Sequence, residues 1–158
     1  MILGRRTQGI GVLGTNVMNP RGLIGLGLDS MDVCTQEVKQ VFDVLADASN
    51  YPVLVHCTQG KDRTGLVVQL VLFLLGVPLE AINQDYLMTD GELDSEREER
   101  LKEIRSIGLD DSFAYCDKDM VENVNKHLLE KGGIENYLDS CGVTEEMRNK
   151  VKQILRDT

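Results

Sequence analysis

A short apolar segment, a glycine-containing loop and a long apolar segment follow one another near the middle of this 158-residue chain. The first apolar segment is Pro52-Val53-Leu54-Val55, the loop runs from His56 to Gly65, and the second apolar segment runs from Leu66 to Leu75. A short apolar run is typical of a buried strand, whereas a longer one is typical of a buried helix. The order therefore predicts a strand, a tight loop and a core helix.

The loop places a thiol and a guanidinium group around a glycine. Cys57 is expected near the N-terminal end of the following helix, where backbone amides and the positive end of the helix dipole lower the pKa of a thiol. Gly60 permits backbone angles that a side chain would forbid, so the loop amides can form a concave anion nest. The planar fork of Arg63 matches two phosphate oxygens. We therefore expect a phosphate-binding loop made of Thr58, Gln59, Gly60, Lys61, Asp62 and Arg63.

A thiolate held beside a bound phosphate can attack the phosphorus atom. The expected chemistry is attack by Cys57, a cysteinyl-phosphate intermediate and hydrolysis of that intermediate by water. An acid must protonate the leaving oxygen and then act as a base for the water. The sequence offers three candidates for this acid, namely Asp62 within the loop and Asp29 and Asp32 upstream of it.

Two further residues of the loop are predicted to support the nucleophile. The Thr64 hydroxyl, next to Arg63, is placed to stabilise the sulfur as it leaves in the second step. His56 precedes Cys57 and is expected to orient the loop through hydrogen bonds. A merely buried cysteine in a strand-to-helix turn is the structural alternative, but it would not account for the other residues of the loop.

The pattern His-Cys-x-x-Gly-Lys-Asp-Arg-Thr-Gly resembles the signature loop of the cysteine-dependent protein tyrosine phosphatase superfamily, in its microbial, lipid-phosphatase-like subgroup. The resemblance extends over roughly Leu23 to Leu155. It includes Gly76-Val77-Pro78, then Asp85-Tyr86-Leu87, and the stretch from Gly132 to Leu138. Members of the subgroup usually carry an N-terminal region with further strands. This sequence begins close to the signature strand, and it is therefore expected to be N-terminally short.

The resemblance implies roles for four groups of the loop. Cys57 is implied to be the nucleophile, Arg63 the phosphate binder and Asp62 a participant in acid and base catalysis. Lys61 is associated in this subgroup with extra phosphate groups on inositol-type substrates. The implied fold is α/β and similar to protein tyrosine phosphatases, with a strand–phosphate-binding loop–helix core, mostly helical and with a reduced sheet.

Apolar residues at helical spacing divide the rest of the chain into helices. Residues 23–28 are expected to form a loop or a poor strand. Val53 to Val55 is predicted to form a strand, and its exposed edge would favour a homo-oligomer through pairing between chains. Thr144 is expected to cap the last helix. The predicted helices are Thr35 to Ala48, Arg63 to Leu75, Leu79 to Met88, Glu92 to Ile107, Asp119 to Lys131, Ile134 to Ser140, and a last helix that runs to about Arg156.

Charge, cysteine spacing and the length of the apolar segments limit the partners and the location expected for the protein. With 26 acidic and 17 basic residues, the chain has a formal net charge of −9, which argues against nucleic acid as a partner. The cysteines have no zinc-like spacing and there are two histidines, so we expect neither a metal site nor a cofactor. The apolar run from Leu66 to Val77 is too short to cross a bilayer. A reactive thiol suits a reducing compartment, and we expect a cytoplasmic location.

Residues 1–158 are thus expected to form a single phosphatase domain, most consistent with a protein tyrosine phosphatase. The phosphorylated substrate is then a phosphotyrosine protein. Lys61 leaves open a phosphoinositide or inositol phosphate substrate, because an extra cation suits a headgroup with several phosphates. A third hypothesis is an inactive fragment that binds phosphate without a competent acid.

Overall fold

The computed structural model describes residues 9–156, and the chain is mostly helical over that range. Residues 9–13 are helical and continue into a π-helical turn, Gly14–Met18. Three 3-10 helices lie at Ala48–Asn50, Asp94–Glu96 and Asp111–Ala114. The α-helices that follow the π-helical turn are α1 Asn19–Val33, α2 Thr35–Leu45, α3 Arg63–Leu75, α4 Leu79–Glu92, α5 Arg97–Ser106, α6 Met120–Glu130, α7 Ile134–Ser140 and α8 Glu145–Arg156.

The helices predicted from apolar spacing are confirmed, with shifts at their ends. Helix α3 has the predicted limits and ends at Gly76, whose φ of +76° is the left-handed conformation that glycine adopts without strain. The predicted cap of the last helix is also confirmed, since the backbone amide of Met147 donates to the Thr144 hydroxyl over 3.3 Å. Helix α5 begins later than predicted because the 3-10 helix Asp94–Glu96 precedes it.

The strand of the predicted strand–loop–helix core is not formed within residues 9–156. Residues 53–57 have no regular secondary structure, and Leu54 is 83% exposed. A strand needs a neighbour for its backbone hydrogen bonds, and the described part of the chain offers none to this segment. The helix half of the predicted core is therefore present, and the sheet half is not. The predicted homo-oligomer through an exposed sheet edge stays a prediction.

The second segment considered as a strand, residues 23–28, lies inside helix α1, so that expectation is wrong. Gly27 is buried there, with the Met120 sulfur and the Leu66 side chain only 3.6 and 3.7 Å from the position a Cβ would take. Gly27 therefore permits close packing of α1 on its neighbours. Tertiary contact with α6 and α3 outweighs the low intrinsic helix propensity of this glycine.

Helix α3 is the centre of the main hydrophobic core. Its Leu70 and Leu74 are buried among side chains from the helices around it. A smaller cluster of Ile104, Leu109, Phe113 and Ala114 lies beneath α5. Because packing surrounds α3, the loop that precedes it is attached to a helix held in the core. Among residues 9–156, no helix combines the length and hydropathy needed to cross a membrane.

Candidate active site

The loop before α3 has the backbone that its glycine predicts. Gly60 has a φ of +78°, in the left-handed region that favours glycine. No atom lies within 4 Å of the position where its Cβ would stand. The glycine is therefore required by backbone conformation rather than by lack of space. The turn brings the chain from Cys57 to the first residue of α3, Arg63.

The environment of Cys57 favours its thiolate form. Partial burial alone would raise the pKa of the thiol, but the side chain and amide of Thr64 and the amides of Gly60 and Gln59 oppose burial. Their combined effect lowers the pKa of Cys57 from 9.0 to about 6. The sulfur therefore faces several N–H and O–H donors, as an anion site at a helix N-terminus requires.

The Thr64 hydroxyl faces this sulfur without a completed hydrogen bond. Its oxygen is buried and has no partner within hydrogen-bonding geometry in the described residues. It nevertheless contributes to the lowered pKa of Cys57. A free hydroxyl can rotate toward a charged sulfur, so the Thr64 oxygen can donate to the Cys57 thiolate. This position suits the predicted role of Thr64 in stabilising the departing thiolate.

We expect alkylation of Cys57 by iodoacetamide to follow a thiolate pKa near 6. The rate should rise with pH through that value and level off above it, because the ionised fraction is then complete. Thr64→Val should move the midpoint upward, since it removes a hydroxyl that stabilises the thiolate. Mass spectrometry of the modified peptide measures the rate residue by residue.

Cys116 and Cys141 provide internal controls for that titration. Burial raises the pKa of both thiols, so their alkylation should begin only at higher pH. A midpoint for Cys57 near the ordinary value of 9.0 would contradict the proposed activation by the loop.

Arg63 lies on the open side of the loop. Its side chain is exposed, and its Nη2 lies 3.5 Å from the Thr58 hydroxyl oxygen. This is a weak contact, which leaves most of the guanidinium fork free to bind an oxyanion. Thr58 is exposed and Gln59 is half-buried, and the Gln59 side-chain oxygen has no partner in the described structure.

Lys61 and Asp62, two neighbouring residues of the loop, form an ion pair. Lys61 Nζ lies 2.8 Å from Asp62 Oδ1, and the lysine side chain is 0% exposed while that of Asp62 is 41% exposed. The Lys61 ammonium is therefore directed at Asp62 rather than at the open face. A fully buried ammonium group needs such a partner. The predicted contact of Lys61 with substrate phosphate stays a prediction.

The two upstream candidates for the acid have different surroundings. Asp29 lines the same cavity as Asp62 and Arg63, and Arg21 Nε donates to its Oδ2 over 2.8 Å. Asp32 is not among the residues that line this cavity.

Asp32 is held instead by two partners on α6 and just beyond it. Lys131 Nζ lies 2.7 Å and His127 Nε2 lies 3.1 Å from its Oδ1. The hydrogen bond from Lys131 lowers the pKa of Asp32; burial opposes this effect, and His127 adds to it. Its carboxylate therefore holds a proton poorly. This arrangement favours Asp62 and Asp29 over Asp32 as the general acid.

His56 has little contact with the rest of the site. It is exposed, and its Nδ1 lies 3.4 Å from the carbonyl oxygen of its neighbour Cys57. Its predicted orienting role stays a prediction. In the part of the chain that the structure describes, no group of three or more histidine, cysteine, aspartate or glutamate side chains is arranged to hold a metal ion.

Two side chains near the site were not assigned a role from the sequence. The Tyr86 ring lies 3.2 Å from the position a Cβ would take at Gly65, so this loop glycine permits α4 to pack against the start of α3. Arg100 lines the cavity beside Arg63 and Asp62. Neither stands at a regular spacing from the loop, and only the tertiary structure brings them to it.

Comparison with known proteins identifies the family. Residues 23–157 match the model described as the tyrosine phosphatase family. A tyrosine-protein phosphatase of Nostoc commune is 45% identical over 53 residues, which cover 34% of this chain and 18% of the relative. The triple specificity protein phosphatase PtpB of Mycobacterium tuberculosis is 27% identical over 124 residues, covering 68% of this chain and 45% of the relative.

A plant relative is named for a different activity. The inositol diphosphatase DSP2 of Arabidopsis thaliana is 42% identical over 38 residues, covering 24% of this chain and 15% of the relative. The chain thus spans less than half the length of each of these three relatives. The family match extends over most of the chain and includes the Cys57–Arg63 loop and the helix behind it, and by that match this chain belongs to the tyrosine phosphatase family.

Proposed function

We propose that the protein hydrolyses phosphomonoesters through a cysteinyl-phosphate intermediate and acts as a protein tyrosine phosphatase. The observation that carries the proposal is the Cys57 thiol, whose pKa is lowered to about 6 by the Thr64 side chain and by loop amides that would also hold a phosphate. The family match and two relatives named as protein phosphatases support the same reaction. Residues 1–158 would then form a single phosphatase domain.

The proposed reaction has two steps, and the same carboxyl group gives a proton in the first and takes one up in the second. In the first, an S–P bond forms between Cys57 and the phosphoryl group while the bond from phosphorus to the leaving oxygen breaks, and the acid gives its proton to that oxygen. In the second, water forms a new O–P bond as the S–P bond breaks, and the water gives a proton to the same carboxylate. The thiolate returns to the donors of the loop. Arg63 stabilises the charge on the phosphoryl oxygens in both steps.

The α/β part of the expected fold belongs to this proposal. We propose that residues 53–55 are the strand of the strand–loop–helix core and pair when a neighbouring strand is supplied. Residues 53–56 line an apolar groove together with Val41, Val44 and Leu45 of α2. A strand that is part of a sheet would cover such a surface.

All four cysteines are free thiols, and we propose a reducing compartment, the cytoplasm, in which Cys57 stays active.

Rapid quenching during turnover of p-nitrophenyl phosphate tests the proposed intermediate. We expect the intact mass to rise by one phosphoryl group, and the modified peptide to contain Cys57. A chain that turns over the substrate without such a species, or that carries the group on another residue, would contradict the mechanism.

The acid can be identified from the dependence on the leaving group. We expect Asp62→Ala to lower kcat for phenyl phosphate by about a hundredfold, because a poor leaving group needs a proton. The loss should be much smaller for p-nitrophenyl phosphate, whose leaving group departs without one. Asp29→Ala is the matched test of the second cavity carboxylate, and Asp32→Ala is the control outside the cavity. Normal phenyl phosphate turnover by Asp62→Ala would indicate that the general acid is Asp29 instead.

A phosphatase for phosphoinositides or inositol phosphates is the second candidate function, favoured by relatives named inositol diphosphatases.

We expect Lys61→Met to lower kcat about tenfold or more for both a phosphotyrosine peptide and an inositol phosphate, because Asp62 loses the ammonium that positions it. KM should change little. Steady-state kinetics on the two substrates gives both constants.

The matched control is Lys39→Met, which removes an exposed lysine paired with Asp43 on α2. It should leave both substrates unaffected. A rise in KM confined to the inositol phosphate would place Lys61 on the substrate headgroup and favour the second candidate function.

A further inference from the structure

One face of helix α4 lies against the phosphate loop. The Tyr86 ring comes within 3.2 Å of the position a Cβ would take at Gly65, and it lines a cavity of about 50 Å³ together with Gly60 and Gly65. Asp90 follows Tyr86 by four residues, so it stands on the same face one turn further along the helix. The fully buried Lys61 lies between the two glycines in sequence. The face of α4 that carries Asp90 is therefore the face that adjoins the ion pair of the loop.

Arg97, the first residue of α5, holds Asp90 with its guanidinium group. Its Nη2 donates to the Asp90 backbone oxygen over 2.6 Å and to Oδ2 over 3.2 Å, and its Nη1 donates to Oδ1 over 3.3 Å. Nη2 also donates to Asp94 Oδ1 over 2.7 Å, and Nη1 donates to the carbonyl oxygen of Ala114 over 3.0 Å. The guanidinium carbon lies 4.4 Å from the centre of the Tyr115 ring. This one side chain therefore joins the end of α4, the start of α5 and the segment that precedes residue 116.

Asp90 in turn fixes Cys116 beside the buried lysine of the loop. The backbone amide of Cys116 donates to Asp90 Oδ1 over 2.8 Å. Burial raises the pKa of the Cys116 thiol, and the positive charge of Lys61 opposes that effect, so the sulfur lies within electrostatic reach of the ammonium. A fully buried ammonium group is confined by whatever packs around it. A displacement of Cys116 would therefore give Lys61 room to move away from Asp62.

We propose that Arg97 is a positioning residue for the general acid of the phosphate loop. Arg97 fixes Asp90, and Asp90 fixes the backbone of Cys116. Cys116 confines the Lys61 ammonium, which holds the Asp62 carboxylate in place for proton transfer. In this role Arg97 acts through the acid and not on the phosphate. The inference rests on the proposed phosphatase function and on Asp62 as its acid.

Two leaving groups separate this role from a merely structural one. Arg97→Met should lower kcat about tenfold for phenyl phosphate, whose leaving group needs a proton, and by less than about twofold for p-nitrophenyl phosphate. KM should change little for either substrate. Arg148→Met is the matched control, because Arg148 is also largely buried but binds Asp139 of α7 and the carbonyl oxygen of Val143. It should leave the ratio of the two kcat values at that of the wild type.

A double-mutant cycle tests whether Arg97 acts through Asp62. In an Asp62→Ala background the acid is already absent, so Arg97→Met should lower phenyl phosphate turnover no further. The full loss in that background would overturn the proposal, and so would an equal loss on both substrates in the single variant or normal phenyl phosphate turnover by Asp62→Ala. If Arg97→Met loses its helical circular dichroism signal, Asp90→Asn takes its place in the same cycle with the same deciding outcomes, because it keeps the shape of the side chain and an acceptor oxygen for Cys116.

The Cys116 amide gives a readout that does not depend on catalysis. Its hydrogen exchange, measured by NMR, should be about tenfold faster or more in Arg97→Met, because Asp90 no longer holds its position as an acceptor. It should keep the wild-type rate in Arg148→Met. An unchanged rate in Arg97→Met would overturn the link from Arg97 to Cys116. Failure of the phosphatase proposal would instead be seen as absent turnover of p-nitrophenyl phosphate by the wild type, which leaves the exchange rates measurable.

Discussion

Cys57→Ser should abolish turnover of p-nitrophenyl phosphate, with a loss in kcat on the order of a thousandfold or more. The loop lowers the pKa of the Cys57 thiol to about 6, so most of this group is a thiolate at neutral pH. A serine hydroxyl in the same place remains protonated at neutral pH and is a far weaker nucleophile. Initial rates with purified wild type and variant measure the difference.

The same variant should still bind an oxyanion. The loop amides and Arg63 are unchanged, so inorganic phosphate should bind to Cys57→Ser with an affinity close to that of the wild type. Circular dichroism should show the same helical signal for both. Wild-type activity in Cys57→Ser would rule out the cysteine mechanism, and a loss of both helix and phosphate binding would mean that the variant had lost its fold instead.

Arg63→Lys should lower kcat by roughly a hundredfold to a thousandfold. Lysine keeps the positive charge but replaces a planar fork with a single ammonium point, which cannot hold two phosphoryl oxygens at once. The Arg63 side chain is exposed and has only a weak contact with Thr58 at 3.5 Å. The fold should therefore be little affected, and the loss should appear in kcat and in phosphate affinity together.

Arg105→Lys is the matched control for this substitution. Arg105 is likewise exposed, lies in α5 and pairs with Asp111 over 2.6 Å, away from the loop. We expect its kcat to equal that of the wild type. If Arg63→Lys retained full activity, oxyanion binding would have to be assigned to the loop amides alone.

The loop and the helix after it could be predicted because their signals are local. Gly60 needs a left-handed backbone wherever this turn forms, and the apolar run after Arg63 forms a helix in any core that surrounds it. The direction of the pKa shift of Cys57 follows from the same local geometry, since its stabilising groups are the amides of Gln59, Gly60 and Thr64 and the Thr64 side chain. These contacts join residues at most seven positions apart along the chain.

Strands could not be predicted in the same way. A helix satisfies its backbone hydrogen bonds within its own segment, whereas a strand depends on a partner from elsewhere. Residues 53–55 have the composition of a buried strand but no partner within residues 9–156. Residues 23–28 have glycines that suggest a loop, yet Gly27 serves the close approach of α1 to Met120 and Leu66.

The amino-acid sequence by itself determined the family, the nucleophile candidate Cys57, the oxyanion binder candidate Arg63 and the helix that carries them, because each depends on neighbours along the chain. Only the tertiary structure decided that Lys61 is buried against Asp62, that Asp32 is engaged by Lys131 and His127, and that Arg100 and the apolar cavity lie beside the loop. The physical reason is that burial and long-range pairing are set by how helices pack. The loop at the start of α3 can therefore be predicted from ten residues of sequence. The surroundings that select its acid and its substrate cannot be predicted in that way.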